Sequence, residues 1–320
     1  MEVNQLLSQT NDYLSSLGYP SSPELLYRPV EYALEAGGKR LRPLFVLMSY
    51  GLFADDYERA MPCAAAIEVF HNFTLLHDDI MDNSAVRRGK PSVYAKWGGN
   101  VAILSGDAMM IDSFSRLSAL PQEKLPRIME IFTRMALQVC EGQQYDMDFE
   151  RMERVSVVEY MRMIELKTSA LLAGSAMIGA VMGGASAEDC QKIYRYALEL
   201  GLAFQLQDDL LYGDEELGKP IGGDILEGKK SCLMLNALSR ADEADRALLR
   251  TLPFDETLPV EERIARVKAI YDKYDVPHLI NQQISTRFDR ALAILDTLSI
   301  EPERVEHLKV FARSLMKRKK

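Results

Sequence analysis

The chain is poor in residues that brace a fold from outside its core. Its 320 residues include only four cysteines, Cys63, Cys140, Cys190 and Cys232. They lie far apart, without the close spacing of a thiolate metal site or a disulfide framework. They predict buried thiols in a reducing, cytoplasmic compartment. A basic excess is also missing: 38 Lys and Arg against 47 Asp and Glu leave a net charge of −9, which argues against nucleic acid as a partner. The opening MEVNQLLSQT has no basic stretch ahead of an apolar core, so no secretory signal is expected. The longest apolar run, 169–184, is short for a bilayer and broken by glycines, so no membrane span is expected. Runs of strand-type alternation, fixed-period repeats and low-complexity linkers are absent too.

What the chain has in quantity is helix punctuation, with sixteen methionines against one tryptophan. Ser22-Pro23-Glu24 opens a helix that should end at Gly37-Gly38. Another starts near Pro43 and runs to Gly51, and a modest amphipathic one covers 2–17. Further helices are predicted over 58–82, 100–118, 121–149, 156–182, 186–212, 231–250, 259–273, 277–298 and 301–318. Ser156–Glu159 and Ser186–Asp189 have capping-box spacing. Loops fall at 83–91 and 213–230. The pattern predicts one all-α domain over residues 1–320.

Chemistry concentrates in 64–91, AAAIEVFHNFTLLHDDIMDNSAVRRGKP. The apolar run ends in Asp78, Asp79 and Asp82, and Arg87 and Arg88 follow. With about 100° of turn per residue, Asp78 and Asp82 share a helix face, and Thr74 and His71 lie on the same stripe. Like charges four apart oppose a bare helix, but they suit a divalent cation. Hard carboxylate oxygens fit Mg²⁺, which takes the rest of its shell from water and phosphates. A solvated acidic helix end is the plain alternative for one such motif taken alone.

A second acidic pair, Asp208 and Asp209, again closes a long helix, with Gln205 one turn before it. Two helices ending alike can face each other across a cleft and share metal. Cations accompany both: Lys39 and Arg42 beyond a helix end, Arg87 and Arg88 after the first acids, Lys219 and Lys229 in the second loop. Lys167 interrupts an apolar stretch, where an unpaired charge is costly, so it should reach a cleft or an acid. Gln143 and Asp146 are candidates to line that cleft and pair with it. Arginine forks grip phosphate bidentately, whereas lysine acts as a point charge. The sum is two metal-holding acid groups and enough cations for two diphosphates.

GGKRLRP, HNFTLLHDDIMDNSAVRRGKPS, ELKTSALL, FQLQDDLLYGD and LGKPIGGDILEGKKS together resemble, in order and over about residues 37–231, the trans-isoprenyl diphosphate synthases, or polyprenyl synthetases, of short-chain type. The resemblance implies the isoprenoid synthase fold, antiparallel helices around a deep central cavity, in a cytoplasmic homodimer. It implies Mg²⁺ dependence, with three ions when substrate is bound, and Asp78, Asp82 and Asp208 as ligands. Arg87, Lys167, Thr168, Gln205, Lys219 and Lys229 would hold the allylic diphosphate; Lys39, Arg42, His71 and Arg88 would hold isopentenyl diphosphate. Asp78, Asp82, Arg87, Lys167 and Asp208 would serve catalysis. Ionisation of dimethylallyl, geranyl or farnesyl diphosphate, attack by isopentenyl diphosphate and loss of a proton would give a C15 to C20 product. Phe70, Phe73 and Thr74, just before the first aspartates, would set chain length, although Thr74 lies along the Asp78 face and Phe73 away from it. The second motif departs from D-D-x-x-D, with Tyr212 in the last position and Asp214 beyond it. Two other readings share these features. A terpene cyclase needs only one diphosphate site, and a non-catalytic regulatory subunit usually loses an aspartate motif.

Overall fold

The computed structural model describes residues 3–211 and 222–316. In chain order the helices are α1 (Val3–Ser15), α2 (Glu24–Glu35), α3 (Leu41–Tyr50) and α4 (Met61–Met81). A two-stranded ribbon follows, β1 (Val86–Arg87) and β2 (Lys90–Pro91), and then α5 (Val93–Trp97), α6 (Gly99–Ser118) and α7 (Leu125–Arg151). Next come α8 (Val157–Ile164), a π-helical turn over Glu165–Ser169, α9 (Ala170–Gly183) and α10 (Ala187–Leu210). The remaining helices are α11 (Gly223–Leu226), α12 (Cys232–Arg240), α13 (Glu243–Thr251), α14 (Val260–Lys273), α15 (Val276–Leu295) and α16 (Pro302–Met316). The architecture is all-α.

The helices pack into two compact units: Met1–Arg134 with Gly174–Tyr194 and Asp296–Phe311, and Met135–Ala173 with Arg195–Leu295 and Ala312–Lys320. In the first, α4 packs along α6, with α2 on α6 and α3 on α4. Its apolar centre includes Val30, Leu34, Val69, Leu76, Ala102 and Met109. The second unit closes over Tyr160, Leu202, Leu206, Leu233, Val267 and Ile280.

α4 shows why its end carries the acids. From Cys63 to Phe70 every residue is buried, as expected of a helix apolar all round. It stops in a Schellman motif: Asn83 takes a left-handed φ of 51°, its N–H meets Ile80 O, and Ser84 N–H meets Asp79 O. Ser156 and Glu159 form the expected reciprocal capping box at α8, and Ser186 caps Asp189 N–H at α10.

Several sequence expectations change. The loop 83–91 contains a hairpin in which Arg88 and Gly89, φ 54° and 72°, join Arg87 to its partner Lys90. Both central residues of such a primed turn need positive φ. The usual Asn-Gly signal is absent, and the strands are only two residues long, so no period shows. The single helix expected over 231–250 breaks because Asp242 accepts from Asp245 N–H and starts α13. The helix over 156–182 contains the π turn. Cys140 is exposed, unlike the other three thiols, because it lies on the outward side of α7 with Leu137 and Glu141.

Among the described residues, 157–183 is the one helix long and apolar enough to cross a membrane, and 78% of its apolar window is buried within the protein. It is a core helix. Where α9 crosses α3, a Cβ on Gly179 would stand 2.0 Å from Val46 O. Gly179→Ala should therefore cost about 1–3 kcal/mol, read as a lowered thermal midpoint. Gly99→Ala, whose nearest neighbour would be 3.8 Å away, should not lower it.

Candidate functional site

The first unit gathers charge at the end of α4. A helix C-terminus is the negative end of its dipole, so Asp78, Asp79 and Asp82 stand where carboxylates are least welcome. Arg87 answers two of them. Its Nε and Nη2 lie 2.8 and 2.6 Å from Asp79 Oδ1, and Nη2 lies 3.1 Å from Asp78 Oδ2. Asp79 is buried, and burial pushes its carboxyl above the usual range although Arg87 pulls it back. Burial by itself would lower Arg87, but the bonds and charges of Asp79 and Asp78 outweigh it and leave the guanidinium above its ordinary value. Asp78 is half-buried and Asp82 is exposed.

The hairpin turns Arg88 the other way, onto the carbonyl of Gly37. A Cβ on Gly38 would meet the Arg88 guanidinium at 2.8 Å, so this glycine is there for close approach. Lys39 is exposed. Arg42 Nη1 lies 2.9 Å from His71 Nε2. Burial, then the charges of Arg42 and Arg88, hold His71 well below the 6.5 usual for the side chain. The ring is neutral, accepts at Nε2 and so carries its proton on Nδ1. Burial also brings Arg42 down to about 10, still charged at neutral pH. His71 Nδ1 and Arg42 Nε are both buried without a hydrogen-bond partner among the described residues. Two unmet buried donors on neighbouring side chains are costly, and each calls for an acceptor.

Behind the acids, Phe70 is buried against Phe73 and Phe132, at ring-centroid distances of 5.4 and 5.1 Å. Phe114 meets Phe132 at 5.0 Å. Phe73 packs with the Val30–Leu76 cluster, away from the Asp78 face as the helix wheel requires. Thr74 spends its hydroxyl on His71 O.

In the second unit, Lys167 Nζ lies 2.6 Å from Asp146 Oδ2, the kind of pairing a charge in an apolar run needs. The π turn carries Lys167 and Thr168, and it fits because α7 and α10 offer glycines. A Cβ on Gly142 would stand 2.2 Å from Lys167 N, and one on Gly201 3.0 Å from Ser169. Thr168 Oγ1 donates to Gln205 Oε1 at 3.1 Å, and Gln205 Nε2 to Asp209 Oδ1 at 3.2 Å. Asp209 is buried; Tyr160 OH and Cys232 N–H meet its Oδ2 at 2.5 and 3.1 Å. Burial pushes the Asp209 carboxyl up despite these donors. Asp208 is half-buried. Lys229 Nζ lies 4.0 Å from Asp224 Oδ1. Lys219, Tyr212 and Asp214 lie outside the described residues.

Among the described residues, no group of three or more His, Cys, Asp or Glu is placed to hold a metal ion. Asp78, in the last turn of α4, and Asp82, which caps that helix with its N–H on Asp78 O, still fit a cation that uses one or two carboxylates, as Mg²⁺ does. Sequence reasoning passed over Arg40, Glu68, Asn72 and Tyr160. Glu68 had a signal like that of Lys167, a charge inside an unbroken apolar run.

One expectation concerns pH. A histidine held low binds its proton more readily unfolded, so stability is lost as pH falls below 6.5. From pH 7.5 to 5.5 the wild type should lose about 1 kcal/mol more than His71→Gln, read from thermal midpoints of both.

A family model described as Polyprenyl synthetase matches residues 23–273. A short chain isoprenyl diphosphate synthase of Methanocaldococcus jannaschii is 42% identical over 248 residues, 76% of either chain. A solved geranylgeranyl pyrophosphate synthase superposes with a TM-score of 0.93 and 40% identity, covering 100% of both chains. The geranylgeranyl pyrophosphate synthase of Corynebacterium glutamicum, solved with isoprenyl diphosphate and magnesium, is 28% identical with a TM-score of 0.84, covering 99% of this chain and 98% of that one.

Proposed function

The chain belongs to the polyprenyl synthetase family, and from that premise we propose that it condenses isopentenyl diphosphate with an allylic diphosphate, releasing diphosphate and yielding a C20 product. Residues 1–320 would act as one polyprenyl synthetase domain. The observation that carries the substrate class is the pair of unmet buried donors, His71 Nδ1 and Arg42 Nε, beside Arg88. They form an anion subsite already charged and stripped of water. A terpene cyclase, with one diphosphate to bind, has no use for it.

Lys39, Arg42, His71 and Arg88 hold isopentenyl diphosphate by this reading. Arg87, Lys167, Thr168, Gln205, Lys219 and Lys229 hold the allylic diphosphate. Asp78, Asp82 and Asp208 are the Mg²⁺ ligands, and bound magnesium supplies positive charge to the departing diphosphate. Arg87 and Lys167 add fixed positive charge where the leaving group gains negative charge. The carbon–oxygen bond breaks, the double bond of isopentenyl diphosphate attacks the allylic carbon, and a proton passes to the released diphosphate. Apolar surroundings keep water from the cation. Phe70 and Phe73, with Phe132 behind them, limit chain length; the C20 product follows the geranylgeranyl synthases among the relatives. Exposed Ile103, Leu104 and Ile111 on α6 support a homodimer, and the unpaired thiols support a reducing, cytoplasmic setting.

Purified protein with Mg²⁺, labelled isopentenyl diphosphate and dimethylallyl, geranyl or farnesyl diphosphate should give geranylgeranyl diphosphate by mass spectrometry. No incorporation of label from any of the three would sink the proposal. Asp78→Ala and Asp208→Ala should each lower kcat about a hundredfold or more, and chelation of magnesium should stop turnover reversibly. Phe70→Ala with Phe73→Ala should lengthen the product. An unchanged product from that double variant removes the aromatic stop.

A further inference from the structure

Glu68 is the one acid in the wholly buried stretch of α4 and is 1% exposed. A carboxylate there must be paired and hydrogen-bonded to remain charged. Its partner is Arg40, itself buried, whose Nη1 lies 2.6 Å from Glu68 Oε1. The same guanidinium donates through Nη2 to Leu34 O at 2.6 Å and through Nε to Asn11 Oδ1 at 3.2 Å. Asn72, also buried, donates to Glu68 Oε1 at 3.1 Å and to Glu68 O at 2.8 Å. Arg40 is thereby gripped from α1, from α2 and from α4.

The grip has a backbone counterpart. Arg40 caps α3 with a left-handed φ of 47° and without a side-chain cap bond. Residues other than glycine rarely adopt that conformation unless their surroundings enforce it. It directs the Arg40 side chain inward while Lys39, its neighbour, stays exposed. Arg42 sits two residues on, beside His71. The torsions at residue 40 therefore decide where both flanking cations point. The carboxylate also lies close enough to favour the charged forms of Arg42 and Arg88.

We propose that Glu68, acting through Arg40 and with Asn72, is a positioning residue: it sets the 37–40 loop and the start of α3 so that Lys39 and Arg42 meet the diphosphate of isopentenyl diphosphate. This rests on the function proposed above. Glu68 touches no substrate in this account.

Arg40→Lys keeps the charge but loses the fork. Glu68→Gln keeps the shape but loses the charge. Arg40→Met with Glu68→Met replaces the buried pair by apolar groups, an exchange that folds often tolerate. Calorimetric binding of isopentenyl diphosphate to the full chain, thermal midpoints, and the KM of each substrate are the measurements. In all three variants the Kd and KM for isopentenyl diphosphate should rise about tenfold or more, with the allylic KM within about twofold of wild type. Arg40→Lys decides the matter if the double variant does not fold. Wild-type affinity in a folded Arg40→Lys or double variant overturns the proposal and leaves the pair merely structural. Tighter binding in Glu68→Gln overturns it as well, because Glu68 would then be only an electrostatic brake. If the wild type itself fails to bind isopentenyl diphosphate, the function proposed above falls and takes this inference with it; normal binding by wild type and variants alike removes the inference alone.

Discussion

Guanidinium groups withdrawn from water need anions, and the first unit distributes its own unevenly. Arg40 has Glu68, and Arg87 has Asp79 and Asp78. Arg88 spends its hydrogen bond on a backbone carbonyl, that of Gly37. Arg42 has a neutral histidine. Two arginines are thus hydrogen-bonded to carboxylates, while the other two, within the field of Glu68, are hydrogen-bonded to groups that carry no charge. Protonating His71 would add a positive charge beside Arg42, and its low proton affinity follows first from burial and then from that arrangement. The pattern separates cations that build the site from cations that await a ligand.

The two acidic motifs share a construction. In each pair the second carboxylate, Asp79 or Asp209, turns inward and is consumed by the protein, by Arg87 in one unit and by Tyr160 and the first N–H of α12 in the other. The first, Asp78 or Asp208, remains nearer the surface. Both motifs close a long helix, at the end where its dipole opposes negative charge. An adjacent aspartate therefore anchors the one before it, and doubling the residue need not mean doubling the ligand.

Much of this was legible in the sequence because it depends on local rules. The long helices and most of their boundaries follow from apolar periodicity, caps and glycines, and the capping box at Ser156 formed as its spacing requires; the short α5 and α11, the latter inside the expected loop 213–230, were not foreseen. The shared face of Asp78 and Asp82 is helix geometry, and the pairing of Lys167 with an acid follows from the cost of a bare buried charge. What was not legible depends on contacts between distant segments. The Arg88-Gly89 turn lacks the residue that usually announces it and is held by a carbonyl 51 positions away. The Arg40–Glu68 pair joins residues 28 apart. The π turn needs Gly142 and Gly201 from other helices, and no periodicity in its own segment records them.

That wide turn is the one place where the long helix can change length cheaply. It accommodates five residues where regular winding would use fewer. A single deletion between 165 and 169 would let the segment rewind as ordinary α-helix and leave the residues beyond it close to their present angular phase. The same deletion in the regular α-helix that follows would rotate everything beyond it by about 100° and draw it back by about 1.5 Å. Gly179 would then swing off its crossing with Val46. The turn therefore stores one residue of slack, and it does so within the segment that carries Lys167 and Thr168.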